Sequence, residues 1–263
     1  MREIARRAAL VGGEAVRMGH APAEADPKGL PGDWVTDVDL ASEHAIAGFL
    51  AAETPAIPFR GEESGGQEAA REAVTEAGVR WVVDPLDGTT NFVHGFVAVG
   101  VSVALVEDDR PVAAAIHAPF LGDVWHAASE GGAVWERPGA PPTPCRVSDR
   151  SPQRAVVATG FPFRRKDLLP RYLRSLGIAL ETFEDLRRPG AACLDLAWTA
   201  CGVFDGFFEL ALAPWDVAAG GLLVREAGGA ATDWDGSAAF LRGDILAGGP
   251  AVHRALRELV ARG

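Results

Sequence analysis

The chemistry in this sequence is concentrated in a few carboxylates that stand beside glycines and hydroxyl side chains. In WVVDPLDGTTNF, residues 81–92, Asp84 closes a short apolar run, Pro85 forces a turn, and Asp87 follows three residues after Asp84. Two acids on one tight turn can point at a common centre, and the Leu86 carbonyl between them can join them. An all-oxygen set of this kind suits a hard cation such as Mg²⁺ rather than a soft metal. Gly88 lets the backbone approach a ligand, and Thr89 and Thr90 read as the start of a helix, where free N–H groups favour phosphate. GEES at 61–64 adds Glu62 and Glu63 on a turn, and PWDVAAGG at 214–221 adds Asp216 ahead of an apolar helix. Taken singly, the glutamate pair reads first as a solvated turn and Asp216 as a helix N-cap.

The elements that must hold these residues follow from periodicity. Ile4, Ala8, Val11, Ala15 and Val16 recur at helical spacing over residues 1–19, as do Leu40, Ile46, Phe49 and Leu50 over 39–52. His20–Asp33 reads as a loop and Glu68–Ala77 as a short helix. Strands are expected at 57–59 and 81–83. Four more over 97–135, separated by Asp108-Asp109, Pro119, Gly122 and Gly131-Gly132, form an antiparallel meander. PGAPPTP at 138–144 divides the chain into halves, 1–138 and 146–263, of a single domain. In the second half, strands at 155–160, 206–212 and 245–248 alternate with helices at 166–176, 191–201, 217–227 and over the last dozen residues. Such alternation argues for α/β layering.

Composition narrows the function. The 263 residues are 48% hydrophobic and carry 36 acids against 25 bases, a net −11. That balance builds a globular core and disfavours binding to nucleic acid or an anionic membrane. A phosphate ester would be repelled too, so its site needs local positive charge. Lys28 and Lys166 are the only lysines, and bound cations are the natural remedy. The longest apolar run, Val97–Val106, is too short to span a bilayer, and the N-terminus has no secretory core, so a cytoplasmic protein is expected. Cys145, Cys193 and Cys201 form no CxxC pair, and Cys193 and Cys201 read as core residues. None of the six histidines has zinc-type spacing. His94, nearest the phosphate segment, reads as peripheral.

GEES, DPLDGTTNF and WDVAAGGLLVREAGG, in this order, resemble the signature segments of the inositol monophosphatase family of Mg²⁺-dependent, lithium-sensitive phosphatases. KGLPGDWVTDVD (28–39) is similar to its mobile loop, ATGFPF (158–163) to its start of the second half, and RRPGAACLDLA (187–197) and DGFFEL (205–210) to its substrate-side segments. The resemblance implies a layered α-β-α-β-α sandwich, antiparallel in the first sheet and mixed in the second, and a homodimer. It implies two to three Mg²⁺ per site. Glu62, Asp84 and the Leu86 carbonyl would hold one ion, and Asp84, Asp87 and Asp216 a second. Thr89, with Glu62, would activate the attacking water, and Asp33 and Asp39 would lie near it. Gly88, Thr89 and Thr90 would bind the phosphate, and Gly190, Ala192 and Glu209 would face the alcohol. A small phosphorylated metabolite is thus expected to lose phosphate by in-line attack of water, without a phosphoenzyme.

Departures from the family pattern touch the substrate side. Ala191 stands where inositol-specific relatives often carry Thr, Pro189 replaces an aliphatic residue, Val97 replaces Pro, and Trp34 is bulkier than usual. Glu209 can bond two vicinal hydroxyls, although its place also fits a solvated strand edge. Inositol monophosphate ranks first as substrate, then fructose 1,6-bisphosphate, then histidinol phosphate. A non-catalytic regulator of the transcription machinery is the alternative from another class. It need not keep Glu62, Asp84, Asp87, Thr89 and Asp216 together, and all five are present.

Overall fold

The computed structural model describes residues 1–19, 25–27, 34–64 and 78–262. The first half is built on one large sheet. Strands β3 (Phe59–Gly61), β4 (Val79–Asp87), β5 (Gly100–Glu107), β6 (Arg110–Ala118), β7 (Asp123–Ala128), β8 (Ala133–Glu136) and β9 (Thr143–Pro144) lie side by side in chain order. All neighbours are antiparallel except β3 and β4, which run parallel. The expected meander is therefore present, and short turns make consecutive strands neighbours. The second half holds a five-stranded mixed sheet. Its strands are β10 (Val156–Thr159), β11 (Asp185–Arg187), β12 (Gly206–Glu209), β13 (Ala230–Thr232) and β14 (Ile245–Gly248), in the order β11-β10-β12-β14-β13.

Helices complete five layers. Helix α1 (Arg2–Met18) packs on β5 and β6, and α2 (Asp37–Glu53) on α1 and β4. Between the sheets lie α5 (Ala192–Ala200) and α6 (Pro214–Glu226), each touching strands of both. Beyond the second sheet lie α4 (Leu169–Thr182) and α7 (Pro250–Arg262). The middle pair explains the glycines of WDVAAGG. A Cβ on Gly220 would lie 2.3 Å from Leu196 of α5, and one on Gly221 would lie 2.4 Å from Phe240. Close approach of α6 to its neighbours thus requires glycine inside a helix, against its poor helix propensity.

Several boundaries differ from the sequence expectations. Within the loop expected over His20–Asp33, Ala25–Pro27 form β1, antiparallel to β2 (Trp34–Thr36). The rest of that loop, with Asp33, and the helix expected at Glu68–Ala77 lie outside the described residues. The 57–59 strand sits two residues later, at β3. Residues 97–99 precede β5 rather than opening it. Helix α4 runs to Thr182 after a 3₁₀ turn at Lys166–Leu168.

Candidate active site

The DPLD segment is a bulge within a strand rather than a turn after one. Strand β4 continues through Asp87, and its register against β5 slips between Asp84 and Asp87. A bulge places extra residues on one side of a ladder and re-aims their side chains. Here it exposes the segment to a cleft, while Ser42 Oγ of α2 donates to the Pro85 carbonyl at 2.8 Å and fastens it. Gly88 then takes a left-handed φ of 94° and caps the short helix α3 (Thr89–Val93). A Cβ at Gly88 would meet the Ala98 carbonyl at 3.0 Å. Gly88→Ala is therefore expected to destabilise the fold by about 1–3 kcal/mol, measured by thermal unfolding. An unchanged melting temperature would show that the turn tolerates a side chain.

A cleft of about 540 Å³ gathers Glu62, Asp84, Leu86, Asp87, Gly88, Thr89, Thr90, Gly190, Ala192, Glu209 and Asp216. Of the residues expected at or near the site, Asp33 lies outside the described residues and Asp39 does not line the cleft. Asp39 is only 1% exposed and sits behind Thr89, whose hydroxyl lies 3.1 Å from Asp39 Oδ1 and 3.2 Å from the Leu86 carbonyl. Asp39 Oδ2 accepts from the Thr36 N–H at 2.8 Å and from the Thr36 hydroxyl. Thr36 and Asp39 form the capping box that starts α2. Burial pushes the Asp39 carboxyl up, opposed by the bonds from Thr36 and Thr89.

The carboxylates arrive from separate elements. Glu62 opens a helical segment after β3, and the backbone beside it is pinned by the buried Glu43, whose Oε2 accepts from the Glu63 N–H at 2.8 Å. Asp84 accepts from the Leu86 N–H at 3.0 Å, Asp87 from the Cys193 N–H at 2.7 Å, and Asp216 from the Ala213 N–H at 2.7 Å. Each gives one oxygen to the backbone and keeps a second for another partner. Asp216 is thus not an N-cap, as its place before the apolar run had it. It is the third residue of α6 and reaches back to the cap position, Ala213.

These groups act on one another. Burial first, and then the charges of Glu62, Asp87 and Asp216, hold Asp84 well above the usual carboxylate range. Burial pushes Asp87 up to about 6 against the Cys193 N–H. Burial with the charges of Asp87 and Glu62 pushes Asp216 up to about 8. Half-buried Glu209 is likewise pushed up to about 8, by burial and then by Asp216. Among the described residues, no three His, Cys, Asp or Glu side chains already stand at metal-ligating separations. The donor chemistry nonetheless fits hard divalent cations: four acids and a carbonyl, all oxygen, whose mutual repulsion a cation between them would cancel.

Besides the Asp87–Cys193 bond, further polar bonds join the halves at the cleft. Ser102 Oγ of β5 donates to the Trp215 carbonyl at 2.9 Å, beside Asp216. Asn91 Nδ2 donates to the Ala98 and Pro189 carbonyls at 2.7 and 2.9 Å, tying α3 to the segment that carries Gly190. Cys193 is fully buried, and its thiol is pushed well above its usual value by burial and by Asp87. It belongs to the core, as expected. His94 is exposed at the end of α3 and does not line the cleft.

Other cleft residues carry no role of their own in the sequence expectations, although Arg188 and Asp195 lie in the substrate-side segment 187–197. Arg164, Arg165, Lys166 and Arg188 form a basic rim. The Arg188 guanidinium lies over the rings of Phe161 and Phe163, at 5.8 and 5.6 Å. Asp195, in the first turn of α5, also lines the cleft. Its signals are a lone charge in the apolar run ACLDLAWTA and a place in the substrate-side segment 187–197.

The model of the inositol monophosphatase family matches residues 1–262. The chain belongs to the inositol monophosphatase family. It is similar to Nus factor SuhB of Escherichia coli K12, with 38% identity over 260 residues that cover 97% of this chain and 94% of the relative. It is 40% identical over 237 residues to inositol-1-monophosphatase of Rhizobium meliloti, covering 88% and 84% of the two chains. The crystal structure of extragenic suppressor protein suhB from Bartonella henselae superposes with a TM-score of 0.86 at 34% identity, covering 99% and 98%. The inositol monophosphatase of Anabaena superposes with 0.82 at 29% identity, covering 99% and 94%. The family's layered fold is the fold of this chain. Among the described residues, no helix is long and apolar enough to cross a membrane.

Proposed function

We propose that this chain hydrolyses the phosphate monoester of a small polyhydroxy alcohol, inositol monophosphate first, with Mg²⁺ as its cofactor. The observation that carries this reading is the convergence of Glu62, Asp84, Asp87 and Asp216 on one cleft beside the Asp39–Thr89 pair. Glu62, Asp84, the Leu86 carbonyl, Asp87 and Asp216 would hold two to three ions. When bound, these supply Lewis acidity toward the phosphoryl oxygens and lower the pKa of water. Asp39 Oδ1 accepts the Thr89 hydroxyl proton, which turns a lone pair of Thr89 Oγ toward the cleft, where it can draw a proton from an attacking water. Glu62 stands on the same cleft to assist. The N–H groups of Gly88 and Thr89 and the Thr90 hydroxyl would orient the phosphate. Glu209, Gly190 and Ala192 would face the alcohol. Because both halves build this site, they would act as one catalytic unit. A cytoplasmic location and a homodimer belong to the same reading, the homodimer resting on family resemblance.

The test is phosphate release from inositol 1-phosphate, fructose 1,6-bisphosphate and histidinol phosphate, in Mg²⁺ and in EDTA. Release from at least one ester that needs Mg²⁺ is the expected result. A folded protein that releases phosphate from none would move the assignment to the second reading. That reading, a partner of the transcription machinery, is favoured by relatives named Nus factor SuhB.

A further inference from the structure

Asp195 is a buried carboxyl for which the fold offers no use. Its neighbours along α5, Leu194 and Leu196, are fully buried, and Asp195 itself is 2% exposed. Its Oδ1 has no hydrogen-bond partner among the described residues. Burying a polar group unpaired works against folding, and an apolar residue would fill the place without that cost. Yet the residue lines the cleft. Helix geometry explains how: Ala192 and Asp195 stand three apart on the cleft side, while Cys193 and Leu194 turn toward Gly100 of β5. Asp195 thus stands where the charges of Glu209 and Asp87 both reach it, between the carboxylate set and the alcohol side.

We propose that Asp195 is a specificity-determining residue that pairs with Glu209 to hold hydroxyls of the leaving alcohol, so that the site selects phosphate esters whose alcohol carries further hydroxyls. The inference rests on the phosphatase reading above. The positive charge of Arg188 reaches both carboxyls, which tempers their attraction for a cation, while each carboxyl oxygen can still accept from a neutral hydroxyl.

The experiment compares wild type, Asp195→Leu and Asp195→Asn on inositol 1-phosphate and on p-nitrophenyl phosphate, whose leaving group has no hydroxyl beyond the ester oxygen. Asp195→Leu is expected to raise KM for inositol 1-phosphate about tenfold or more, since a site built for a hydroxyl then loses its partner. The rate on p-nitrophenyl phosphate should stay within about twofold of wild type. Asp195→Asn, which keeps an acceptor, should recover part of the loss. Melting of Asp195→Leu at or above wild type would agree with removal of an unpaired buried group. Parallel losses on both esters would overturn the proposal and make Asp195 structural. A shift in the Mg²⁺ concentration giving half-maximal activity would overturn it and make Asp195 a cation ligand. Should Asp195→Leu fail to fold, the same ratio read on Asp195→Asn decides. If wild type hydrolyses neither ester, the phosphatase reading falls separately. Calorimetric titration with inositol 1-phosphate against inorganic phosphate then decides this one: a preference for the hydroxylated ligand that Asp195→Asn weakens supports it. An absent or unchanged preference overturns it.

Discussion

Replacing Asp84 with Asn should lower kcat/KM by about 10³-fold, or about 4 kcal/mol of transition-state stabilisation, while the metal-free protein melts no lower than wild type. The two halves of this expectation have one cause. Asp84 is 1% exposed and takes the repulsion of Glu62, Asp87 and Asp216 together, so it is the carboxylate nearest to being shared by every cation the site could hold. Asparagine keeps its shape and can still accept the Leu86 N–H that Oδ1 accepts at 3.0 Å, so the bulge in β4 should persist. It removes the charge, which would take from the proposed cation set its central ligand and relieve three like-charge contacts. Steady-state kinetics in Mg²⁺ and thermal melts in EDTA read the two effects separately. Mg²⁺-dependent activity within about tenfold of wild type would end the assignment of Asp84 as a ligand.

The second large effect is on stability as a function of pH. Without divalent cations, the protein should become less stable as pH rises from about 4 to about 8, the reverse of ordinary acid unfolding. In the folded chain Asp216 and Glu209 are pushed up to about 8, Asp87 to about 6, and Asp84 well above 3.8. In the unfolded chain all of them ionise near 4. Between those limits the folded state binds more protons, so the free energy of unfolding falls with rising pH. The slope is on the order of 1.4 kcal/mol per pH unit for each group still protonated. Mg²⁺ should reverse the trend, since it binds the ionised forms and protons compete with it less as pH rises. Melting curves from pH 4.5 to 8.5, in EDTA and in Mg²⁺, should therefore diverge toward high pH. Superimposed curves would mean that these carboxylates do not hold the cation.

What could be read in advance followed the range of the interactions. Asp84, Leu86 and Asp87 share one bulge, so their convergence is a local property and visible in a short string. Glu62 and Asp216 are each ambiguous alone, and only their joint resemblance to a family pattern brought them to the same cleft. Asp39 carried a readable signal, the Thr36-x-x-Asp39 capping box, but its role depends on meeting Thr89, fifty residues away. The basic rim comes from two segments with no shared motif, and Asp195 was masked by the apolar helix around it. The meander was legible because polar turns punctuate apolar strands. Strands of three residues, such as Asp185–Arg187 and Ala230–Thr232, are too short to show a period of two. Pro85 reads as a stop, and the ladder absorbs it by slipping register.

The basic rim bears on how fast a ligand arrives rather than how tightly it is held. Seen from afar the chain is an anion of charge −11, but at physiological salt that field fades over about 8 Å. An anion within that distance of the cleft mouth responds instead to Arg164, Lys166 and Arg188, and less to Arg165, whose guanidinium is paired with Asp167 at 2.7 Å. On the proposed function, the surface would thus turn most anionic traffic away and capture what reaches one small aperture. A compact phosphate ester would enter the field of this rim, whereas a polyanion too large for the opening would meet mainly the repelling exterior. Added salt would slow capture at the mouth while leaving the enclosed chemistry nearly untouched.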